Sequence, residues 1–476
     1  MTPLDFSPAT ALFPHQLEAV EFIADKHAVA IFDEQGLGKT KIVLESILRG
    51  MHSGNLDGAL IVCRAGLVPT WRDEVSKHTH LTAVEISGSA GTAGSGFATY
   101  SPFYLTAYSL LHRELARLRQ LLQVRKLALV LDEAHTIKNP QARATLDAFS
   151  LSELARKRII VTGTPVANYP EDLWAQFYFL DHGKTLGTDF EAFRLFYDLG
   201  TGARRRDVSL SSLQTLKERI RPLSIRRTKE ETLELPEKSY ATVVVIMKGS
   251  QAEMYRVVRD ELRLELLDHG KLAQTVSVEN AFVRLLRLVQ VSSNPALIDP
   301  GYDGVPAKFA ALDSMIQQIV ANGEKAIVWS QFVENVRLLR RKYSNFGSAE
   351  IHGGIPIEAR HDVVRRFQSD PKKSLIFAVP AAAREGVTLT AANNAIYLDR
   401  GFNMVDYIQS QDRIHRIGQE RRCVVTKIVA RDSVDEFVEA VLARKADIAG
   451  EIQSGIEHLR STAGDDVIEL EHFLAE

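Results

Sequence analysis

Up to about residue 165, short apolar runs alternate with segments whose apolar residues return every three or four positions. The runs are residues 28–32, 59–63, 83–86, 104–107, 127–131 and 159–161. Continuous apolar stretches of this length predict strands buried on both faces, as in a parallel sheet covered by helices. Between them, helical spacing appears in Leu17, Val20, Phe22 and Ile23, in Ile42, Val43, Leu44, Ile47 and Leu48, and in Leu111, Leu115, Leu118 and Leu122. Pro69-Thr70-Trp71 starts a further helix, and the Gly/Ser/Ala-rich residues 87–96 read as a flexible surface loop. Strand and helix in alternation predict an α/β lobe.

From residue 174 to 303 the alternation stops. Helical spacing dominates at 189–199, 210–220, 251–267 and 281–291, with one strand-like run at 241–247. Two basic clusters, Arg204-Arg205-Arg206 and Arg226-Arg227, fall here, and a charge run of this kind is ordinarily a solvated face. Alternation then resumes, with strands at 326–329, 375–379, 395–398 and 424–429 and helices at 333–343, 358–367 and 404–413. A closing helix over 433–448 has Ser433 and Glu436 in capping-box spacing. The pattern predicts two α/β lobes flanking a mostly helical insertion.

The first apolar run leads into Asp33-Glu34-Gln35-Gly36-Leu37-Gly38-Lys39-Thr40, and a helix leads out. Strand, glycine loop and helix start are the context of a phosphate-binding loop. The backbone of Gly36, Leu37 and Gly38 would face the anion, Lys39 would reach the β- and γ-phosphates, and the Thr40 hydroxyl would ligate Mg²⁺. The strict pattern wants glycine where Asp33 stands, and this string alone also fits a βα turn that binds nothing. Asp132-Glu133-Ala134-His135 directly follows the run 127–131. Carboxylates at the C-terminal end of a parallel strand open onto the ligand crevice, where Asp132 can hold Mg²⁺ and Glu133 can orient the attacking water. An acidic helix start favoured by the macrodipole is the alternative. Thr162 and Thr164, after the run 159–161, can sense an occupant of the crevice or serve as turn chemistry. In the second lobe Arg413 and Arg416 are three apart, a spacing that places them on one helical face. There they would act as arginine fingers on a transferring phosphate, or make surface ion pairs.

Composition changes this picture little. The 476 residues allow roughly three domains. An apolar fraction of 45 % with 25 % charged residues is that of a soluble globular protein. No run approaches the ~20 apolar residues of a membrane span, and the first 24 residues carry no Lys or Arg and no long apolar core, so no secretion signal is expected. Cys63 and Cys423 sit in apolar runs and read as buried thiols, which makes the chain cytoplasmic by expectation. The formal charge of −2 supplies no global attraction to nucleic acid, so any such site must be a local patch.

In order along roughly residues 12–448, these strings resemble the Swi/Snf family of ATP-dependent double-stranded-DNA translocases, within the second helicase superfamily. The resemblance rests on Phe13-Pro14-His15-Gln16, the phosphate loop with Asp33 in its family place, Trp71, Thr106-Ala107-Tyr108, and Asp132 through Asn139. It continues through Thr162-Gly163-Thr164-Pro165 with Asn168, Leu223 through Lys229, Leu235-Pro236, and the most specific string, His415-Arg416-Ile417-Gly418-Gln419. It implies two RecA-like lobes with ATP and Mg²⁺ in the cleft between them. The expected layout is a first lobe at 1–182, helical protrusions and linker at 183–302, a second lobe at 303–448 and an acidic tail at 449–476. It implies that Gln16 faces adenine, that Glu133, Arg413 and Arg416 are catalytic, and that His135, Thr162, Thr164 and Gln409 couple hydrolysis to movement. Motif position gives Thr106, Arg360 and Thr388 as contacts to the DNA backbone. The string 383–390 departs from the family's more glycine-rich loop, with Arg384 in place of a small residue. With no reader module, the resemblance fits a stand-alone motor of a bacterial or phage-infected cell. Duplex DNA is the expected partner; a strand-separating helicase on single-stranded DNA or RNA, and a motor subunit of a restriction or phage-defence complex, are the alternatives.

Overall fold

Two parallel sheets take up every strand that the apolar runs predict. The computed structural model describes residues 5–86, 97, 99–166, 170–197, 210–269, 278–384 and 388–443. The chain divides into two compact units, with the break between Glu234 and Leu235.

The first unit holds β1 (Ala28–Ile31), β2 (Gly58–Cys63), β3 (Ala83–Glu85), β4 (Phe103–Ala107), β5 (Leu127–Asp132), β6 (Lys157–Val161) and β7 (Ser224–Ile225). They lie in the order β3-β4-β2-β5-β6-β1-β7, all parallel. Crossover helices such as Lys39–His52 cover the faces, and Val29, Ile31, Ile42, Ile47, Ile61, Val130 and Ile159 are fully buried between sheet and helices. Each such side chain contributes about 1.5–3 kcal/mol of burial free energy. Because β5, β6 and β1 are neighbours, the loops that follow them emerge side by side at one end of the sheet.

The second unit holds β8 (Lys238–Val245), β9 (Ala326–Trp329), β10 (Ala349–Ile351), β11 (Leu375–Ala378), β12 (Asn394–Tyr397) and β13 (Cys423–Ala430), in the order β10-β11-β9-β12-β13-β8. This sheet is also parallel throughout.

Three differences from the sequence expectation matter. The segment 183–302 is helical at Phe190–Phe196, Leu210–Ile220, Gly249–His269 and Val278–Ser293, yet it lends β7 to the first sheet and β8 to the second. The helix Met404–Gln411 ends two residues before the predicted stop, with Asp412 as its C-cap, so Arg413 and Arg416 lie in the turns beyond it. The one helical face that their spacing predicts is therefore not formed. The two-residue β7 and three-residue β10 are too short to leave a period in the sequence. Arg204–Arg206, Asn168, the 87–96 loop and the 449–476 tail lie outside the described residues. Cys63 and Cys423 are buried and not joined in a disulfide, and burial pushes the Cys63 thiol up. Among the described residues, no helix is long and apolar enough to cross a membrane.

Candidate active site

The loop after β1 needs glycine twice. Gly36 and Gly38 adopt φ of 91° and 80°, the left-handed region that L side chains rarely enter. A Cβ at Gly38 would also come within 2.3 Å of Gln16 Nε2. Gln16 is fixed there because its Nε2 and His15 Nε2 both donate to the Leu37 carbonyl at 3.1 Å, while its Oε1 accepts from Phe13 N at 3.1 Å. The Gln16 side chain thus holds the loop from behind. Lys39 and Thr40 open the helix Lys39–His52, and Lys39 Nζ donates to the carbonyls of Asp33 (2.8 Å) and Glu34 (3.1 Å). Gly163, after β6, keeps the neighbouring space open: a Cβ there would sit 3.4 Å from Lys39 Nζ and 3.0 Å from Gln35 Cγ.

Asp33, where the strict motif has glycine, is fully buried and ion-paired with Arg227. The loop departs from the motif because a cation from the end of β7 is waiting for that carboxylate. A charge run such as Arg226-Arg227 is ordinarily a solvated face, yet Arg227 is buried in this pair. A buried arginine 194 positions away leaves no periodic signal, although Asp in place of Gly is the clue that a partner exists.

Asp132 closes β5 and accepts from Trp71 Nε1 (2.8 Å) and Glu133 N (2.9 Å). Its pKa is raised to about 6, first by burial and then by the neighbouring Glu133 charge, with the Trp71 hydrogen bond opposing. Glu133 has φ of 51°, a backbone strain of about 1–2 kcal/mol for a non-glycine residue, of the kind that collects at functional sites. Its Oε1 accepts from Gln35 Nε2 at 3.4 Å, and its Oε2 lies 3.3 Å from His135 Nδ1. His135 Nε2 is 2.8 Å from Arg64 Nη2, which can only donate, so Nε2 accepts and Nδ1 carries the proton. That proton faces Thr162 Oγ1 at 3.2 Å, and Thr162 Oγ1 in turn accepts from Thr164 N at 3.1 Å. Residues from the ends of β1, β5 and β6 thereby come together: Gln35 bonds Glu133, His135 lies beside the Glu133 carboxylate, and His135, Thr162 and Thr164 are joined by hydrogen bonds. Such an arrangement can hold a polyphosphate, place a cation on hard oxygen ligands and report occupancy from one strand end to the next.

Other expected residues land elsewhere. Thr106 is 1 % exposed inside β4, which lies between β2 and β3. Arg360 is buried too, and its guanidinium donates to the carbonyls of Ile355 (2.7 Å) and Gly353 (3.2 Å). Thr388 is half-buried and follows residues 385–387, which are outside the described set. In the second unit Gln409 and Arg413 are buried and Arg416 is half-buried. Around them two members of the specific string brace the backbone: His415 Nε2 donates to the Pro236 carbonyl (2.9 Å), and Gln419 Nε2 donates to the carbonyls of Thr390, Ala392 and Ile414.

The SNF2-related domain family matches residues 15–297, and the helicase conserved C-terminal domain matches residues 307–418. Among curated proteins, the putative ATP-dependent helicase/translocase YwqA of Bacillus subtilis is 28 % identical over 461 residues, covering 93 % of this chain and 47 % of that protein. The protein CHROMATIN REMODELING 4 of Arabidopsis thaliana is 27 % identical over 482 residues, covering 91 % of this chain and 21 % of that protein. The chain thus spans about half or less of the length of these curated relatives. Among solved structures, the Sulfolobus solfataricus SWI2/SNF2 ATPase core in complex with dsDNA is 26 % identical, with a TM-score of 0.45 and coverage of 94 % of each chain. With a family match across more than half of its length, this chain belongs to the SNF2-related family.

Proposed function

We propose that the chain is an ATP-hydrolysing motor that moves on duplex DNA. The observation that carries this reading is the convergence of Lys39, the Asp132–Glu133 pair and the His135–Thr162 contact beside the loop after β1, where the lack of a side chain at Gly163 keeps the space next to Lys39 Nζ open. Lys39 Nζ, held by two carbonyls, would turn to the β- and γ-phosphates. Gln16 would meet the adenine edge next to the loop it supports. The Thr40 hydroxyl and the Asp132 carboxylate are hard oxygen donors that fit Mg²⁺, and two adjacent carboxylates with the first pushed up by burial suit a position a cation would neutralise. Mg²⁺ bound there would screen the phosphate charge that develops on hydrolysis. Glu133 would orient the attacking water, with Gln35 Nε2 bonded to its Oε1 and the His135 ring beside its Oε2. Arg413 and Arg416 are assigned to the charge on the transferring phosphate.

DNA as the track is supported by the names of relatives, one a helicase/translocase and one a chromatin-remodelling protein. Contacts made mostly to phosphate predict sequence-independent, salt-sensitive binding. The test is steady-state ATPase activity with no nucleic acid, duplex DNA, single-stranded DNA or RNA. Stimulation mainly by duplex DNA is expected, and Lys39→Ala should abolish it. Stimulation mainly by single strands or RNA would replace this reading with a strand-separating helicase. Arg416→Ala should leave ATP binding intact and lower kcat by ~10³ if it acts as an arginine finger; parent-rate turnover would remove that role.

A further inference from the structure

Residues 33 and 34 of the phosphate loop are gripped from two sides. On one side Lys39 Nζ donates to both of their carbonyls. On the other, the chain just beyond β7 runs along them: Phe32 N donates to the Ile225 carbonyl (2.8 Å), Glu34 N to the Arg227 carbonyl (3.0 Å) and Lys229 N to the Glu34 carboxylate (3.0 Å). Arg227 closes this side with its side chain. Its Nε donates to Asp33 Oδ1 at 3.1 Å and its Nη2 donates to Oδ2, a bidentate pair that is 0 % exposed at Asp33 and 8 % at Arg227. Directly downstream, Thr228 and Glu231 cap the short helix Lys229–Thr232, and the chain then enters β8 of the second unit's sheet at Lys238.

We propose that Arg227 is a positioning residue: it fixes the phosphate loop in its receiving shape and ties that loop to the segment leading into the second sheet. The proposal rests on the reading of this loop as the ATP site. A phosphate that draws Lys39 away removes the donor shared by the Asp33 and Glu34 carbonyls. The Arg227–Asp33 fork, the backbone bonds of Phe32 and Glu34 to residues 225 and 227, and the Lys229 N–Glu34 carboxylate bond then tie residues 33 and 34 to the segment beyond β7, so displacement of the loop passes directly to residues 227–229. A planar guanidinium sets both carboxylate oxygens at once, which an ammonium cannot do. Residues 226–229 and the phosphate loop therefore move as one piece.

Arg227→Ala would strand a buried carboxylate and is the wrong variant. Arg227→Lys keeps the charge and loses the fork, and Asp33→Asn/Arg227→Gln removes both charges while keeping a hydrogen bond. Each is compared with the parent by binding of a fluorescent ATP analogue, by ATPase activity with and without duplex DNA, by thermal unfolding and by amide hydrogen exchange without nucleotide. Arg227→Lys should weaken analogue binding about tenfold, the loss expected of one charged hydrogen bond. It should also lower the ratio of DNA-stimulated to basal turnover and speed exchange at residues 34–38 and 226–229 together. Parent-like affinity, ratio and exchange in the folded variant overturn the proposal, as does a lower Tm as the sole change. If Arg227→Lys does not fold, the neutral double variant is read by the same criteria. If the parent itself neither binds nor hydrolyses ATP, the functional reading fails and exchange alone decides the clamp: faster exchange of both segments supports it, and unchanged exchange overturns it.

Discussion

The two sheets are built alike and finished differently. Both are parallel throughout, and both end several strands in polar residues at the same edge. In the first, β1 opens into a glycine loop and β5 ends in Asp132 and Glu133. In the second, β9 runs into Ser330 and Gln331, and β12 is followed by Leu398 and Asp399. Burial pushes the pKa of both Asp132 and Asp399 up. Asp399 answers this with donors: it accepts from Ser293 Oγ (2.7 Å), Ser330 Oγ (2.7 Å) and Gln331 N (2.6 Å), and Asn335 Nδ2 in turn donates to Ser293 Oγ (3.0 Å). Asp132 accepts from Trp71 Nε1 (2.8 Å) and Glu133 N (2.9 Å), and it also has a second carboxylate beside it. A buried carboxylate ringed by donors fastens strands and helices together; one set next to a like charge would, on the proposed function, take a cation.

Substitution of the two carboxylate sites separates these roles, and the largest effect belongs to the first sheet. Glu133→Gln should lower turnover by ~10²–10⁴, the range for a positioned group acting on the reacting water. Asp399→Asn should leave turnover per folded molecule at the parent level and lower the unfolding midpoint, since a buried network loses its best acceptor at a cost of about 1–3 kcal/mol. Equal losses of turnover in both variants would dissolve the distinction.

Buried lysines extend the comparison to stability. Lys308 of the second unit is fully buried with its Nζ 2.6 Å from Asp435, which also accepts from Ala430 N and Ser292 Oγ. Lys308→Met strands that carboxylate and should destabilise the unit by about 3–5 kcal/mol in urea unfolding, with Asp435→Asn added on top restoring part of the loss. A neutral result for Lys308→Met would show that the pair adds nothing over packing.

Much of this was legible in the chain itself, and the reasons for the rest are local. Long apolar runs predicted both sheets because strands buried on two faces must be apolar throughout. The phosphate loop and Asp132-Glu133 stood out because they directly follow such runs. Arg227 escaped because the partner that explains it is distant in sequence. Thr106 and Arg360 were placed by motif position, which carries no information on burial. Arg413 and Arg416 were given a common helical face from spacing alone, whereas Asp412 caps that helix before it reaches them.

The smallest effect lies at the opposite end of the first sheet. Lys157, the first residue of β6, is nearly buried, and its Nζ donates to the carbonyls of Ile23 (2.9 Å) and Ala24 (3.5 Å) at the end of the helix Pro14–Ala24. Lys308 has a carboxylate within reach; the partners of Lys157 are carbonyls at a helix C-terminus. Burial accordingly lowers the Lys157 pKa from its ordinary 10.5 to about 8, with Asp25 opposing the shift and Lys26 adding to it. Between those two values the unfolded chain binds more protons at this site than the folded chain, so Lys157 makes stability rise with pH across that window. Below about pH 8 the site contributes its full desolvation penalty, offset in part by the two carbonyl bonds. Lys157→Met removes the titration and should flatten the rise in unfolding midpoint between pH 8 and pH 10, with only a small change at pH 7, where lost capping bonds and relieved desolvation oppose each other. A variant with the parent's slope would mean that the Lys157 ammonium is as well solvated as a surface lysine, and that these two carbonyls leave it no more in need of a counter-charge than Asp435 leaves Lys308.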